Sequence, residues 1–260
     1  RRQRQMCIRE QLLNYKPMKT FILSFLFSCI TGILLAESVP QELPVQKRIE
    51  NKLYACFTEQ SVQPLTSLYP ELEKQNTQLT PYWIAYTKFY ETIYYLKTQD
   101  TEQAQKCLAE AELLLEKIKD KTSEDYALLA YLESFSIQFK SGTEAGKISA
   151  KVKANAQKAV QMDSTNLRGW YVSGSHDFYM PAAYGGGQKA ESYLLKAIRL
   201  PAQNLPHPWL PSWGKAEAYD MLIRLYLGKG DTTEARKYYE SLKTAYPESY
   251  LISQYAEKFN

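Results

Sequence analysis

The sequence predicts an all-α protein built from antiparallel helix hairpins stacked side by side. Three observations carry that prediction. Between residues 44 and 258 apolar side chains recur at helical spacing. No segment shows the alternating pattern of a strand. Short polar or Pro/Gly-bearing breaks separate the periodic runs, so consecutive helices fold back on one another. With 11 Gly and 12 Pro against 21 Tyr, the chain has few breakers and many large amphipathic rings, which suits packed helices.

The periodicity places helices near 44–59, 62–76, 81–98, 101–118, 123–140, 145–162, 166–179, 187–200, 214–228, 231–244 and 248–258. Ser123 with Asp125, and Asp231 with Glu234, read as N-terminal caps, because their side-chain oxygens can accept from the first free amides of a helix. Gly228 and Gly230 read as C-terminal stops.

The spacing within these helices is more specific. Residues 216–248 read AEAYDMLIRLYLGKGDTTEARKYYESLKTAYPE. Tyr219, Leu222 and Tyr226 mark the apolar stripe of a first helix. Gly230 falls at the turn, Ala235 and Tyr239 lie on the second helix, and Pro247 closes the unit. The pattern resembles the ~34-residue tetratricopeptide repeat. Ile223 and Leu242 depart from it, standing where the repeat has small residues. Upstream, Trp170 and Gly174 open another repeat whose second helix carries Ala190 and Ala197. Its surplus length falls in residues 180–187, ending in Gly185, Gly186 and Gly187. That unit resembles secreted or membrane-associated bacterial repeat proteins with a Gly-Gly-Gly turn. Thr101, Ala104 and Ala111 mark a further second helix, paired with a long first helix containing Trp83, Tyr86 and Tyr90. The resemblance spans roughly residues 80–250. It implies a right-handed α-α superhelix, a tetratricopeptide-like solenoid over residues 80–260, preceded by an N-terminal helical pair or cap over 37–79.

Residues 18–36 read as a secretory signal peptide. Met18 and Lys19 give a positive start, residues 21–36 are apolar, and the chain turns polar at Glu37 after the small Ala36. The apolar run has 16 residues, short of the ~20 that span a bilayer. Cleavage after Ala36 is the expectation, with an uncleaved anchor as its alternative. Leu26-Phe27-Ser28-Cys29 offers a competing reading as a lipoprotein box with Cys29 lipidated, against which stand the bulky Phe27 and the apolar residues that follow. Residues 1–17 lack apolar periodicity and read as upstream sequence outside the fold. The chain is thus expected to be periplasmic or secreted, touching a membrane only through its leader.

The formal charge of +4 belongs to that leader region. Six of the 32 basic and one of the 28 acidic residues lie in 1–36, leaving 26 against 27. A nearly neutral folded part with no basic cluster argues against nucleic acid as a partner. Cys56 and Cys107 lie in helical patterns and read as small core residues; pairing is the minor alternative. No CxxC motif or Cys/His cluster is present, so no metal and no cofactor is expected.

No catalytic constellation emerges either. His176 lies beside Asp177 on a helix, where neighbours point to different faces, and His207 sits in a stiff Pro-His-Pro connector. Glu110, Glu112 and Glu116 read as a solvated face paired with nearby lysines. The triple-glycine turn could cradle an anion with its amides, but three glycines chiefly let a lengthened turn adopt positive φ. Trp209 and Trp213, among three prolines, read as covering the joint between repeats.

In tetratricopeptide arrays the first helix of each hairpin lines the inner groove. Carried over to places 2, 5 and 9, the resemblance implies a partner-binding groove of Glu217, Asp220 and Arg224 in the last repeat. In the preceding repeat it selects Arg168, Tyr171 and Ser175, with Phe178 or Tyr179 beyond. Mixed charge and aromatic area suit a protein or peptide ligand in the cell envelope. The expected function is therefore an exported, non-catalytic binding scaffold. The alternative is a glycan or small-molecule binder using the Tyr/Trp-rich surface.

Overall fold

The computed structural model describes residues 43–201 and 207–259. The segments 1–17 and 18–36, with Cys7 and Cys29, lie outside the described residues.

Among the described residues the chain is helical and contains no strand. It opens with α1 (Val45–Glu59), α2 (Gln63–Thr66) and α3 (Tyr69–Gln75). Four hairpins follow: α4 (Thr80–Lys97) with α5 (Thr101–Glu116), α6 (Ser123–Ser136) with α7 (Gly142–Met162), α8 (Leu167–Tyr179) with α9 (Ala190–Arg199), and α10 (Lys215–Gly228) with α11 (Thr232–Ala245). A 3-10 segment, Tyr250–Tyr255, and the short α12 (Ala256–Phe259) end the described chain. This is an all-α helical-repeat fold. The single helix expected over 62–76 is two short helices, and that expected over 248–258 is mostly 3-10. Among the described residues no helix is long and apolar enough to cross a membrane.

Local chemistry sets the boundaries. Asp100 caps α5 by accepting from the Gln103 amide at 3.1 Å, and Asp231 caps α11 by accepting from Glu234 at 3.0 Å. At α6 the cap is Thr122 rather than Ser123: Thr122 and Asp125 form a reciprocal capping box. Ser123 instead donates to the Ala159 carbonyl at 2.8 Å, fastening α6 to the end of α7. Gly230, at φ 76°, carries the chain out of α10.

The hairpins interlock through small residues. Ala104, Ala111, Ala156, Ala159, Ala190, Ala197 and Ala235 are buried on the second helices, which lets the paired helix approach. Glu110 and Glu116 do not pair along their own helix. Lys88 of α4 donates to Glu110 at 2.6 Å, and Lys151 of α7 meets Glu116 at 3.2 Å, so these charges bridge helices. Cys56 and Cys107 are buried and unpaired, and burial pushes both thiols up.

The connector before α10 is a packing element. Trp209 and Trp213 are buried. Trp83 Nε1 donates to the Trp209 carbonyl at 2.8 Å, and Trp213 Nε1 donates to the Tyr82 hydroxyl at 2.7 Å. The same connector holds the start of α1: Val45 donates its amide to the Pro208 carbonyl at 2.9 Å, and the Ser212 amide donates to Gln46 Oε1 at 2.9 Å. The N-terminal helix is thereby tied to a segment more than 160 residues away.

The glycine turn is structural. Gly185 and Gly187 adopt φ of 82° and 78°, and a Cβ on Gly186 would stand 1.8 Å from the Met180 carbonyl oxygen. The amides at the start of α9 already have their acceptor, since Asp177 Oδ2 takes Lys189 N and Ala190 N at 2.8 Å each. Gly186→Ala is expected to lower the urea midpoint, at a cost of about 1–3 kcal/mol from forced backbone displacement; an unchanged midpoint would show that the turn yields freely.

Candidate functional site: an aromatic concavity

The first helices of the hairpins form an inner layer. Residues of α1, α4, α6, α8 and α10, joined by Ile137 and Gln138 just after α6, by Ser212 and Trp213, and by the segment 246–251, line a partly open cavity of about 560 Å³. No residue of α5, α7, α9 or α11 reaches it. The arrangement follows from repeat geometry, because each outer helix buries its stripe against the inner helices and leaves their other face turned inward.

That inner face is aromatic. On α4, Tyr86, Phe89 and Tyr90 lie on successive turns, and the Tyr86 and Tyr90 rings are 5.0 Å apart. Phe89 meets Tyr131 of α6 at 5.2 Å and Phe135 at 5.0 Å. Tyr131 lies 5.1 Å from Trp213 and 6.2 Å from Tyr171 of α8. Ring edges and faces therefore run without a break across three helices and the connector, a lining suited to flat apolar matter. Tyr54 on α1 and Tyr250 on the C-terminal segment also line the cavity while remaining 37% and 42% exposed, so the lining extends into open solvent.

Burial pushes the phenols of Tyr86, Tyr90, Tyr131 and Tyr171 well above their ordinary range. They are neutral hydroxyls at any physiological pH, able to donate and to accept.

Five of the six residues selected from the repeat pattern line this cavity: Tyr171, Ser175, Glu217, Asp220 and Arg224. Asp220 and Arg224 are engaged within the protein. Arg224 Nε donates to Asp220 Oδ2 at 2.7 Å, Arg224 Nη2 donates to Gln254 Oε1 at 2.6 Å, and Tyr255 donates its hydroxyl to Asp220 Oδ1 at 2.5 Å. Their first task is to hold the C-terminal segment against the end of α10. Glu217 caps α10 by accepting the Gly214 amide at 2.7 Å, and burial pushes its carboxyl up.

Arg168 is the departure. It is fully buried and does not line the cavity. The connector folds back over the start of α8, with Gly214 close enough that a Cβ there would be 3.0 Å from Arg168 Cγ. Beneath it the guanidinium grips both oxygens of Glu124 and donates to the Trp213 carbonyl at 3.2 Å. Tyr179, expected beyond Ser175, lines the cavity; Phe178 does not. His176 also lines it, with Nε2 2.9 Å from Ser149 Oγ, and forms no dyad with Asp177, whose carboxylate is occupied at α9.

Tyr54, Tyr131, Phe135, Glu50 and Tyr250 line the cavity without standing out in the sequence pattern, and Tyr86 and Tyr90, repeat markers in the sequence, line it too. The signal was available in part. Counted from the starts of the helices near 81–98 and 123–140, the same place rule reaches Phe89 and Tyr131 at place 9 but none of the other lining residues of those helices.

Fold and site together define an all-α helical-repeat protein with an aromatic concavity on its inner face. The chain matches no family model and no curated protein. Among solved structures it is similar to the HusA haemophore from Porphyromonas gingivalis, at 19% identity and a TM-score of 0.50, over 75% of this chain and 98% of that one. At that identity the likeness is one of fold.

Proposed function

We propose that the chain is an exported binding protein whose concavity holds a flat, largely apolar small molecule, and that the ligand is a tetrapyrrole such as haem. The observation that carries this reading is the continuous aromatic lining of a cavity of about 560 Å³, within the ~300–1,000 Å³ usual for small-ligand sites. The ligand class is suggested by the fold shared with a protein described as a haemophore. The leader over 18–36 supports export.

A peptide partner, the expectation drawn from the repeat resemblance, is less well supported by this wall. Holding an extended chain requires polar groups for its amides and carbonyls, and Asp220 and Arg224 are engaged internally. A glycan is less well supported too, because Trp83, Trp209 and Trp213 are buried and the half-buried Trp170 already carries Tyr193 and Lys196 against its ring.

Haemin titration followed by tryptophan fluorescence tests the reading, since Trp213 stands in the cavity wall. The expected result is saturable quenching with one equivalent bound. Quenching that is absent or unsaturable, with capture of unstructured peptides instead, would favour the peptide partner.

A further inference from the structure

Glu217 is the carboxylate around which the tyrosines of the cavity gather. Its side chain is fixed at the start of α10 by the Gly214 amide, 2.7 Å from Oε2. Tyr86 and Tyr90 from α4, Tyr131 from α6, Tyr171 from α8, and Tyr246 and Tyr250 from the C-terminal segment line the same cavity as Glu217.

Arg168, beneath the connector, is near enough to interact with Glu217 but its guanidinium is bound to both oxygens of Glu124, and the charged and titratable groups that share the cavity do not pair with Glu217. From α1 come Lys47 and Glu50, which face one another at 3.6 Å. From α10 come Asp220 and Arg224, bound together at 2.7 Å. His176 enters from α8 and Glu248 from the C-terminal segment, while Ser212 and Trp213 of the connector bring no charge. Among the described residues no cation forms an ion pair with Glu217. Its charge is tolerated because the side chain is only half-buried and opens on the cavity. The largely apolar macrocycle of a flat ligand filling that space removes the solvent access and leaves the carboxylate against rings that offer it no counter-charge. An unpaired charge in such surroundings protonates instead of remaining ionised.

We propose that Glu217 makes ligand capture proton-linked: the ligand is held with the Glu217 carboxyl protonated, and one proton is taken from solvent on binding. This inference rests on the small-molecule reading of the cavity. Burial already pushes the carboxyl above its ordinary value in the empty cavity, and the ligand pushes it further. Between those two values the free protein is ionised and the complex neutral, so affinity declines as pH rises. Below the window both forms are protonated and affinity is flat. A protonated Glu217 keeps one oxygen to accept the Gly214 amide, so the helix cap survives the change.

The test compares the full chain with Glu217→Gln, which preserves the cap acceptor and cannot titrate. Haemin affinity is measured by fluorescence quenching from pH 5 to pH 8. The wild type is expected to lose affinity across the window, by up to roughly tenfold per pH unit. The variant should lack that component and bind more tightly than wild type at the alkaline end. Ionisation of free haemin is common to both curves and cancels in their difference. Calorimetry of the wild type in buffers of differing ionisation enthalpy should show net proton uptake exceeding the variant's by up to one. Parallel affinity curves with equal proton uptake overturn the linkage alone. Failure of both proteins to bind haemin at every pH overturns the ligand reading and the linkage with it.

Discussion

Arg168→Met is expected to destabilise the fold by about 3–5 kcal/mol, because it leaves Glu124 as a charge without its partner beneath the connector. The Arg168 side chain is 1% exposed and that of Glu124 18%, so water cannot take over the role of the guanidinium. The loss reaches beyond one ion pair. Arg168 also donates to the Trp213 carbonyl, and its guanidinium lies 5.9 Å from the centre of the Trp213 ring. Trp213 in turn forms part of the cavity wall and holds the Tyr82 hydroxyl. Urea denaturation followed by circular dichroism measures the effect. The double variant Arg168→Met, Glu124→Met should recover much of the loss, since removing both charges leaves none stranded. Equal destabilisation in the single and double variants would mean that packing of the arginine stem matters more than its charge.

Tyr131→Ala is expected to weaken haemin binding by roughly thirtyfold, the ~2 kcal/mol typical of a central aromatic contact. Tyr131 is the node of the lining, in contact with Phe89, Tyr171 and Trp213. Its removal opens the wall where a flat ligand would have rings on several sides. Tyr193→Ala on α9, outside the cavity, should leave affinity unchanged. Parallel thermal unfolding of both variants separates loss of ligand contacts from loss of fold. Similar affinities for the two variants would place the site elsewhere.

Much of the scaffold was legible in the sequence because repeat packing is local. The alanines at 104, 111, 190, 197 and 235 announce close helix packing, and all five are buried. The inward direction of Tyr171, Ser175, Glu217, Asp220 and Arg224 was legible for the same reason. A helix stripe already committed to its outer partner fixes which face is left. Arg168 shows where that logic ends. Its fate depends on Trp213, 45 residues away, folding back over the helix start, and no periodicity encodes that contact. Enclosure of the cavity was likewise hidden. It depends on Gln46 meeting Ser212 across 166 positions, and on Tyr255 reaching Asp220 from the C-terminal segment. A solenoid pattern predicts an open groove, and these two contacts tie the connector and the C-terminal segment to its rim.

In the proposed complex the ligand lies against the tyrosines of the inner helices. Paramagnetic broadening of ring-labelled tyrosine resonances by haemin measures it directly, since only rings near the iron lose intensity. Tyr86, Tyr90, Tyr131 and Tyr171 should broaden together at one equivalent of haemin, while Tyr193, Tyr226 and Tyr238 stay sharp. Broadening of the outer set, with the four inner tyrosines unaffected, would contradict the account.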